Sequence, residues 1–316
     1  MRTRYLFNQS PLYKLHRRKK LAELLDLTIQ ELNQMADAQD SLYKCFPKTI
    51  EKDGKKKDRW IERPNPKLRQ IQIRLVQLLD RIVPPDYLHS GFRGRSYISN
   101  AFRHGCDVRI AKIDIRKFFP SAYAGFVYRS FVDIFECSPD VATVIARLTT
   151  AFRHLPTGGN SSTMISFFAF KPMFDEIDAL AKSSGLIMSC CVDDMTFSGE
   201  AATAGFLNKV RLIVRRYGLK THKCHCFEPK QAKVVTGVAL TPQGFRLPNI
   251  RRKKLHDAFR AFDQESDLHK KVKQGEKLLG RTTEAAQIEK AFQPFVLVVT
   301  QKLNDVKQLL NHTAGG

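Results

Sequence analysis

The stretch "SGLIMSCCVDDMTFSG", residues 184–199, sets two adjacent carboxylates, Asp193 and Asp194, between two short apolar runs. Runs of that length around a polar tip read as two strands, "GLIMSCCV" and "MTFSG", joined by a tight turn at Val192-Asp193-Asp194. The pair has two readings, a polar turn or a metal-binding tip. Chance supplies about one Asp-Asp pair in a chain this long at ordinary acid usage, so the pair alone decides nothing. The next clear strand, "VRIAKIDI", adds the needed context. Its alternation puts Ala111, Ile113 and Ile115 on one face and Ile110, Lys112 and Asp114 on the other. Asp114 is therefore a third carboxylate, on a strand otherwise built for a buried sheet.

Three carboxylates gathered at one end of a sheet repel strongly unless cations sit between them. Hard divalent cations take oxygen ligands, and Mg²⁺ commonly uses one or two carboxylates together with substrate phosphates. Two such ions about 4 Å apart activate an attacking hydroxyl and hold the leaving oxygen of an in-line displacement at phosphorus. The composition agrees with a phosphate-rich partner. Against 31 Asp and Glu stand 53 Lys and Arg, a net charge of +22, and the pI is about 9.8. Basic surfaces bind polyanions because neutralised phosphates release counterions. Together these features point to nucleotidyl transfer on a nucleic-acid template.

The 316 residues, 43% of them hydrophobic, suffice for one or two domains with stable cores. The N-terminus "MRTRYLFNQSPLYKLHRRKK" has no apolar stretch of signal-peptide length and nothing later reaches transmembrane length, so a cytoplasmic protein is expected. Seven cysteines at irregular positions suit reduced thiols rather than a disulfide framework. "HKCHC" (222–226) lacks the two-residue gap of a zinc knuckle and has no second half nearby.

Residues 11–40 carry a helical apolar rhythm, and the Lys-rich "KTIEKDGKKKDRW" reads as a hairpin or loop around Asp53-Gly54. "RPNPKLRQIQIRLVQLLDRIVPP" predicts a helix running to Pro84-Pro85. Helical patterns fill 122–153, and "HLPTGGNSSTM" is a loop feeding an apolar helix over about 163–182. A helix over 203–217 and a strand pair over 233–247 follow, and from about 249 the chain is helical and basic. The division expected is a mixed α/β body to about residue 245 and a small helical C-terminal domain.

At this point a family resemblance is specific. "IAKIDIRKFFPS" (110–121), "LPTGGNSS" (155–162) and "CCVDDMTFSG" (190–199), in that order, resemble the palm motifs of reverse transcriptases. "NAFRH" (100–104) and "VTG" (235–237) resemble the two hallmarks of bacterial retron-type reverse transcriptases. "RPNPKLRQIQ" and "GFRGRS" extend the similarity, which covers about residues 59–240. The resemblance implies an α+β right-hand polymerase fold, with an antiparallel palm sheet and a helical C-terminal thumb. The divisions expected are an N-terminal helical segment (1–45), fingers (46–107), palm (108–245, with a finger insertion over about 122–160) and thumb (246–316).

By the same resemblance Asp114, Asp193 and Asp194 hold two Mg²⁺ ions, with Mn²⁺ as an alternative and the Ile115 carbonyl completing a site. Phe119 falls where an aromatic ring underlies the incoming sugar and excludes a 2′-hydroxyl. Thr157 and Gly158 line the dNTP pocket, and Arg59 stands where the fingers carry a basic group for the triphosphate. Asn100, His104, Val235, Thr236 and Gly237 serve RNA binding, the alternative being that Asn100 and His104, four apart, share one helix face merely to satisfy local hydrogen bonds. The basic C-terminal helices resemble a thumb that grips duplex phosphates. The implied partners are a cognate non-coding RNA, its DNA product and a separate effector protein, with no membrane. The activity implied is copying of part of that RNA into single-stranded DNA (msDNA) from an internal 2′-hydroxyl, in anti-phage defence.

The sequence departs from the family pattern at three places near the site. Cys191 replaces the usual Tyr of the hairpin, Thr157 the Gln of the Leu-Pro-Gln-Gly loop, and Asn160 the Pro two residues past its first glycine. The Asn-x-x-Lys-Thr motif expected later is replaced by something like "THKCHC". These changes motivate a rival reading, a catalytically silent RNA-binding relative. The other rival is a different bacterial reverse transcriptase lineage, of which an intron enzyme would be expected to carry a maturase or endonuclease extension.

Overall fold

Asp114 and the Asp193-Asp194 pair meet across one sheet. The structure, a computed structural model, describes residues 3–52 and 55–314, without the side chains of 50–52, 55–57, 313 and 314. Strand β1 (Tyr43–Lys52) pairs antiparallel with β2 (Lys55–Pro64), Tyr43 opposite Pro64. The expected Asp53-Gly54 turn lies outside the described residues. A second sheet has four strands, β3 (Ile110–Ile115), β4 (Ile187–Cys191), β5 (Asp194–Ser198) and β6 (Thr221–Phe227), in the order β4-β5-β3-β6. Both β3 and β4 run antiparallel to β5. The third is a meander of β7 (Lys233–Val235), β8 (Val238–Thr241) and β9 (Gly244–Arg246), where the sequence predicts only a strand pair.

Contacts divide the chain into two compact units: Met1–Ser96 with Arg109–Cys226, and Tyr97–Val108 with Phe227–Gly316. The first unit is mixed, with antiparallel sheets flanked by helices. On β3 the alternation holds as expected: Ala111, Ile113 and Ile115 are fully buried, while Lys112 and Asp114 reach partial exposure. The core around them is aromatic. Phe131, Phe135, Phe168, Phe170, Phe174 and Phe197 are all buried, and burying a side chain of this kind contributes roughly 1.5–3 kcal/mol. The second unit joins the helix Tyr97–Phe102 to the meander and to the helices Asn249–Gln264, Leu268–Ile288 and Gln293–Ala314.

Local signals explain the helices and where they stop. Thr28 caps Ile29–Ala38 with a reciprocal box to Glu31, the side chains satisfying amides that the first turn leaves open. Asn65 caps Pro66–Leu79, accepting from Leu68 N–H at 2.8 Å, with Pro66 at the position where a missing N–H is harmless. That helix ends at Leu79, short of Pro84-Pro85, because Ile82 and Val83 turn out to pair with Tyr5. The apolar run over 163–182 is two helices, Ser162–Ala169 and Lys171–Ser183, broken at Phe170 just before Pro172. Proline at the start of the second helix cannot continue the hydrogen-bond ladder of the first. No helix among the described residues is long and apolar enough to cross a membrane.

Candidate functional site

Register places the acids. Asp114 stands directly opposite Asp194, and Asp194 also pairs with Cys191, so Cys191, Asp194 and Asp114 form a row across β4, β5 and β3. Directly opposed side chains share a face, and like charges there repel. Asp193 occupies the turn, and its carbonyl accepts from Ile115 N–H at 3.0 Å, tying the tip to the end of β3. Val192 takes φ +64°, a rare conformation for a β-branched residue. The turn is held in it by Ser90, whose hydroxyl accepts from Val192 N–H at 2.9 Å, and by a parallel bridge between Leu88 and Cys190.

The electrostatics are those of crowded acids. Burial, then the charges of Asp114 and Asp194, push the Asp193 carboxyl up to about 6. Burial also raises the Cys191 thiol to about 11, with Asp194 and Asp193 adding to the effect, so Cys191 is a neutral, compact group beside the acids. Three basic side chains face them. Lys112 Nζ lies 3.4 Å from Asp194 Oδ2, and Lys223 Nζ 3.4 Å from Asp114 Oδ2. His222 Nδ1 is 3.2 Å from Asp114 Oδ1 without hydrogen-bond alignment. Nothing in the sequence pattern of "HKCHC" announced this: the segment is strand β6 beside β3, with Lys223 at φ +52°.

Divalent cations suit this donor set. Oxygen donors are hard ligands, Asp114 Oδ1 lacks an aligned hydrogen bond, and Asp193 is raised by burial and by the charges of the neighbouring acids. Among the described residues, however, no three or more His, Cys, Asp and Glu side chains already stand as a metal-ligating group. Asp194 lies against Lys112, and Asp114 against His222 and Lys223.

The neighbouring loop is clasped by β2. Thr157 N–H donates to Glu62 Oε2 at 2.8 Å, and Glu62 N–H returns a bond to Thr157 O at 3.0 Å. Gly158, at φ +124°, has no room for a side chain, since a Cβ would meet Ile61 at 3.0 Å and Glu62 O at 3.2 Å. Asn160 N–H donates to the fully buried Gln72 at 3.1 Å, a bond that the family's proline could not make. Phe119 is partly buried on the short helix Phe118–Ser121, its ring 6.0 Å from that of Phe118. Arg59 is exposed on β2, opposite Lys48.

Asn100, His104 and the VTG turn come together in the second unit. Val235 and Val238 flank a turn in which Thr236 (φ +45°) and Gly237 (φ +97°) are both left-handed. Asn100 Nδ2 donates to Thr236 Oγ1 at 3.3 Å, and Thr236 Oγ1 donates to Tyr97 O at 2.7 Å. Asn100 and His104 are buried, Asn100 Oδ1 without a hydrogen-bond partner among the described residues, while Thr236 and Gly237 keep partial exposure. Sequence reasoning missed the support behind them: Arg251 stacks over the Tyr97 ring at 4.6 Å and bonds Tyr97 and Glu284. A Cβ on Gly237 would strike Arg251 at 2.6 Å.

The sheet and its acidic tip thus define an α+β protein with three carboxylates gathered at one end of an antiparallel strand pair. Comparison with known proteins narrows that class. A Salmonella heidelberg (strain 579083-10) protein, retron Se72 reverse transcriptase, is 31% identical over 195 residues, 61% of this chain and 50% of that protein. Retron Ec86 reverse transcriptase of Escherichia coli is 25% identical over 177 residues, covering 55% of this chain and 54% of the relative. Retron Mx162 reverse transcriptase of Myxococcus xanthus is 26% identical over 271 residues, covering 73% and 54%. The chain spans about half the length of the curated relatives it matches, and no family model matches it. It is a homologue of the retron-type reverse transcriptases, whose name denotes RNA-directed DNA polymerases.

Proposed function

We propose that this chain is a retron reverse transcriptase, which copies part of a cognate structured non-coding RNA into single-stranded DNA from dNTPs. The observation that carries the reading is the register of Asp114 against Asp194 with Asp193 at the adjoining turn, in a chain homologous to retron-type enzymes. In this reading the four-stranded sheet is the palm, the β1–β2 hairpin belongs to the fingers and the C-terminal helices form the thumb. Asp114, Asp193, Asp194 and the Ile115 carbonyl would hold two Mg²⁺ ions, which supply activation of the attacking hydroxyl and neutralisation of the leaving oxygens.

The chain's own residues do the rest. Thr157 and Gly158, fixed by Glu62, line the nucleotide pocket; Phe119 underlies the sugar and favours deoxynucleotides; Arg59 reaches for the triphosphate. Cys191 leaves space where the family carries an aromatic ring, beside the primer end. The VTG turn, stiffened from behind by Asn100, offers Thr236 and Gly237 to the RNA. Priming from an RNA 2′-hydroxyl, a DNA product that stays joined to its RNA, and a role in anti-phage defence beside a separate effector complete the proposal.

A second reading, a silent RNA-binding relative, rests on Lys112, His222 and Lys223, which already pair with the acids. One assay separates the two. The purified protein should incorporate dNTPs on an RNA template in a Mg²⁺-dependent manner; incorporation no higher than that of Asp193→Asn would sink the enzyme reading. Nucleic acid recovered with the protein should contain a branched RNA–DNA species, and linear RNA without DNA would count against the retron assignment.

A further inference from the structure

Tyr123 and Phe152, 57% and 45% exposed, are distant in sequence yet line one surface cavity of about 450 Å³ with Ala124, Gly125 and Arg153. Large aromatic rings left in water need a reason when they share one concavity. The backbone beneath them sharpens the point. Ala151 and His154 exchange both backbone hydrogen bonds, at 2.8 and 2.9 Å, so Phe152-Arg153 is a two-residue tip. Both residues have positive φ, +48° and +66°. Two successive positive φ values are the pattern of a type I′ turn, whose preferred residues are Asn-Gly. A phenylalanine and an arginine are poor choices there, and neither is buried to compensate.

The tip is nonetheless held firmly. Phe152 N–H donates to Asp40 Oδ1 at 2.7 Å, Ala124 N–H donates to Arg153 O at 2.9 Å, and Tyr123 bridges His154. Arg153 has no ion-pair partner among the described residues. Where local residue choice contradicts local geometry, the side chains are retained for what they present outward. We propose that Tyr123, Phe152 and Arg153 form a stacking platform that grips unpaired bases of a single-stranded nucleic acid. Aromatic rings stack on the π-face that every base offers, and an adjacent guanidinium meets the phosphate or stacks in turn. The +22 charge of the chain favours a polyanion over an apolar protein surface as the occupant.

The platform adjoins the Thr157–Gly158 loop in sequence, and Leu155 N–H donates to Ala122 O at 3.0 Å, which links it to the helix of Phe119. Resting on the function proposed above, the strand held is the template ahead of the nucleotide pocket; the stacking itself does not depend on catalysis. The test therefore measures binding by the full chain without dNTPs. Fluorescent 12-nucleotide single strands, RNA and DNA in parallel, should bind Tyr123→Ala or Phe152→Ala roughly fivefold or more weakly than the unaltered protein. An abasic strand should lose the difference. The double variant Phe152→Asn with Arg153→Gly installs the turn's preferred residues, so it should fold at least as stably while binding as weakly. Photocrosslinking of 5-iodouridine RNA should mark Tyr123 or Phe152 by mass spectrometry, and preference between the RNA and DNA arms identifies the strand. Unchanged affinities with no crosslink at either ring overturn the proposal, as does a loss of self-association in these variants with unchanged strand binding, which would make the patch a protein contact. Absence of polymerase activity would leave these binding results standing and fall on the proposed function alone.

Discussion

Burial makes Asp193 an unfavourable place for a charge, and that has a measurable sign. Its carboxyl titrates near 6 in the folded chain against an ordinary value of 3.8, so between those pH values the fold retains a proton that the unfolded chain releases. Stability therefore falls as pH rises through this window, and the full penalty is present above about pH 6. Asp193→Asn removes the buried charge and should stabilise the cation-free protein by about 1–3 kcal/mol at pH 7.5, with the gain shrinking below pH 4. Urea titrations at the two pH values check this; equal or lower stability of the variant at pH 7.5 would refute it. Phe119 makes a different prediction. Its ring is only partly buried beside Phe118, so Phe119→Ala should relax the choice between dNTPs and rNTPs in single-nucleotide incorporation, and an unchanged ratio returns Phe119 to a packing role. The position of Asp114 was legible because period-two alternation assigns a strand residue its face. The pairing of Asp114 with Lys223 was not, because a left-handed residue inside β6 leaves no periodic trace.

At the scale of elements, legibility followed the strength of local chemistry. The Asn65-Pro66 start and the apolar rhythm of Leu68, Ile71 and Leu75 give a helix in the sequence and in the structure alike. Its end was misjudged because pairing of Ile82 and Val83 with Tyr5 is a long-range event that no local window contains. The break at Phe170 was local, announced by Pro172, but masked by an apolar run long enough to suggest one buried helix. The clasp between β2, the helix Pro66–Leu79 and the Thr157–Gly158 loop is likewise long-range, and Gln72 is its centre. Gln72 donates to Tyr43 Oη at 2.8 Å and to Leu148 O at 3.0 Å while accepting from Asn160 N–H. Asn160→Pro restores the residue usual in the family but strands a buried acceptor, and should cost about 1–3 kcal/mol. In a Gln72→Met background the same change should cost clearly less, since the stranded acceptor is gone. Equal costs in the two backgrounds, read from chemical denaturation, would dismiss the clasp.

For the whole molecule, the unit that contains the C-terminal helices is assembled from two separated pieces of chain, Tyr97–Val108 and Phe227–Gly316. A linear division of the sequence into successive domains has no means of anticipating that. What joins the pieces is a set of part-buried polar contacts: Asn100 to Thr236, Thr236 to the Tyr97 carbonyl, Arg251 to Tyr97, and Lys233 Nζ to Val108 O at 2.7 Å. Two of the motifs that mark the retron resemblance are thus the stitching of one unit. Partly buried networks of this kind fail together, because removing one member leaves the others poorly solvated and unpaired. Asn100→Ala should therefore speed amide hydrogen exchange through 97–108, the β7–β9 meander and the helices from 249 onward, with exchange in β3, β4 and β5 unchanged. If the two units unfold as one, exchange in β3–β5 rises equally and the division is only geometric. If Asn100 instead acts by touching RNA with its side chain, exchange stays unchanged in the free protein while RNA affinity drops. The burial of Asn100 argues for the first of these outcomes: the side chain braces the turn from within, and a fault in it should be visible before any RNA is added.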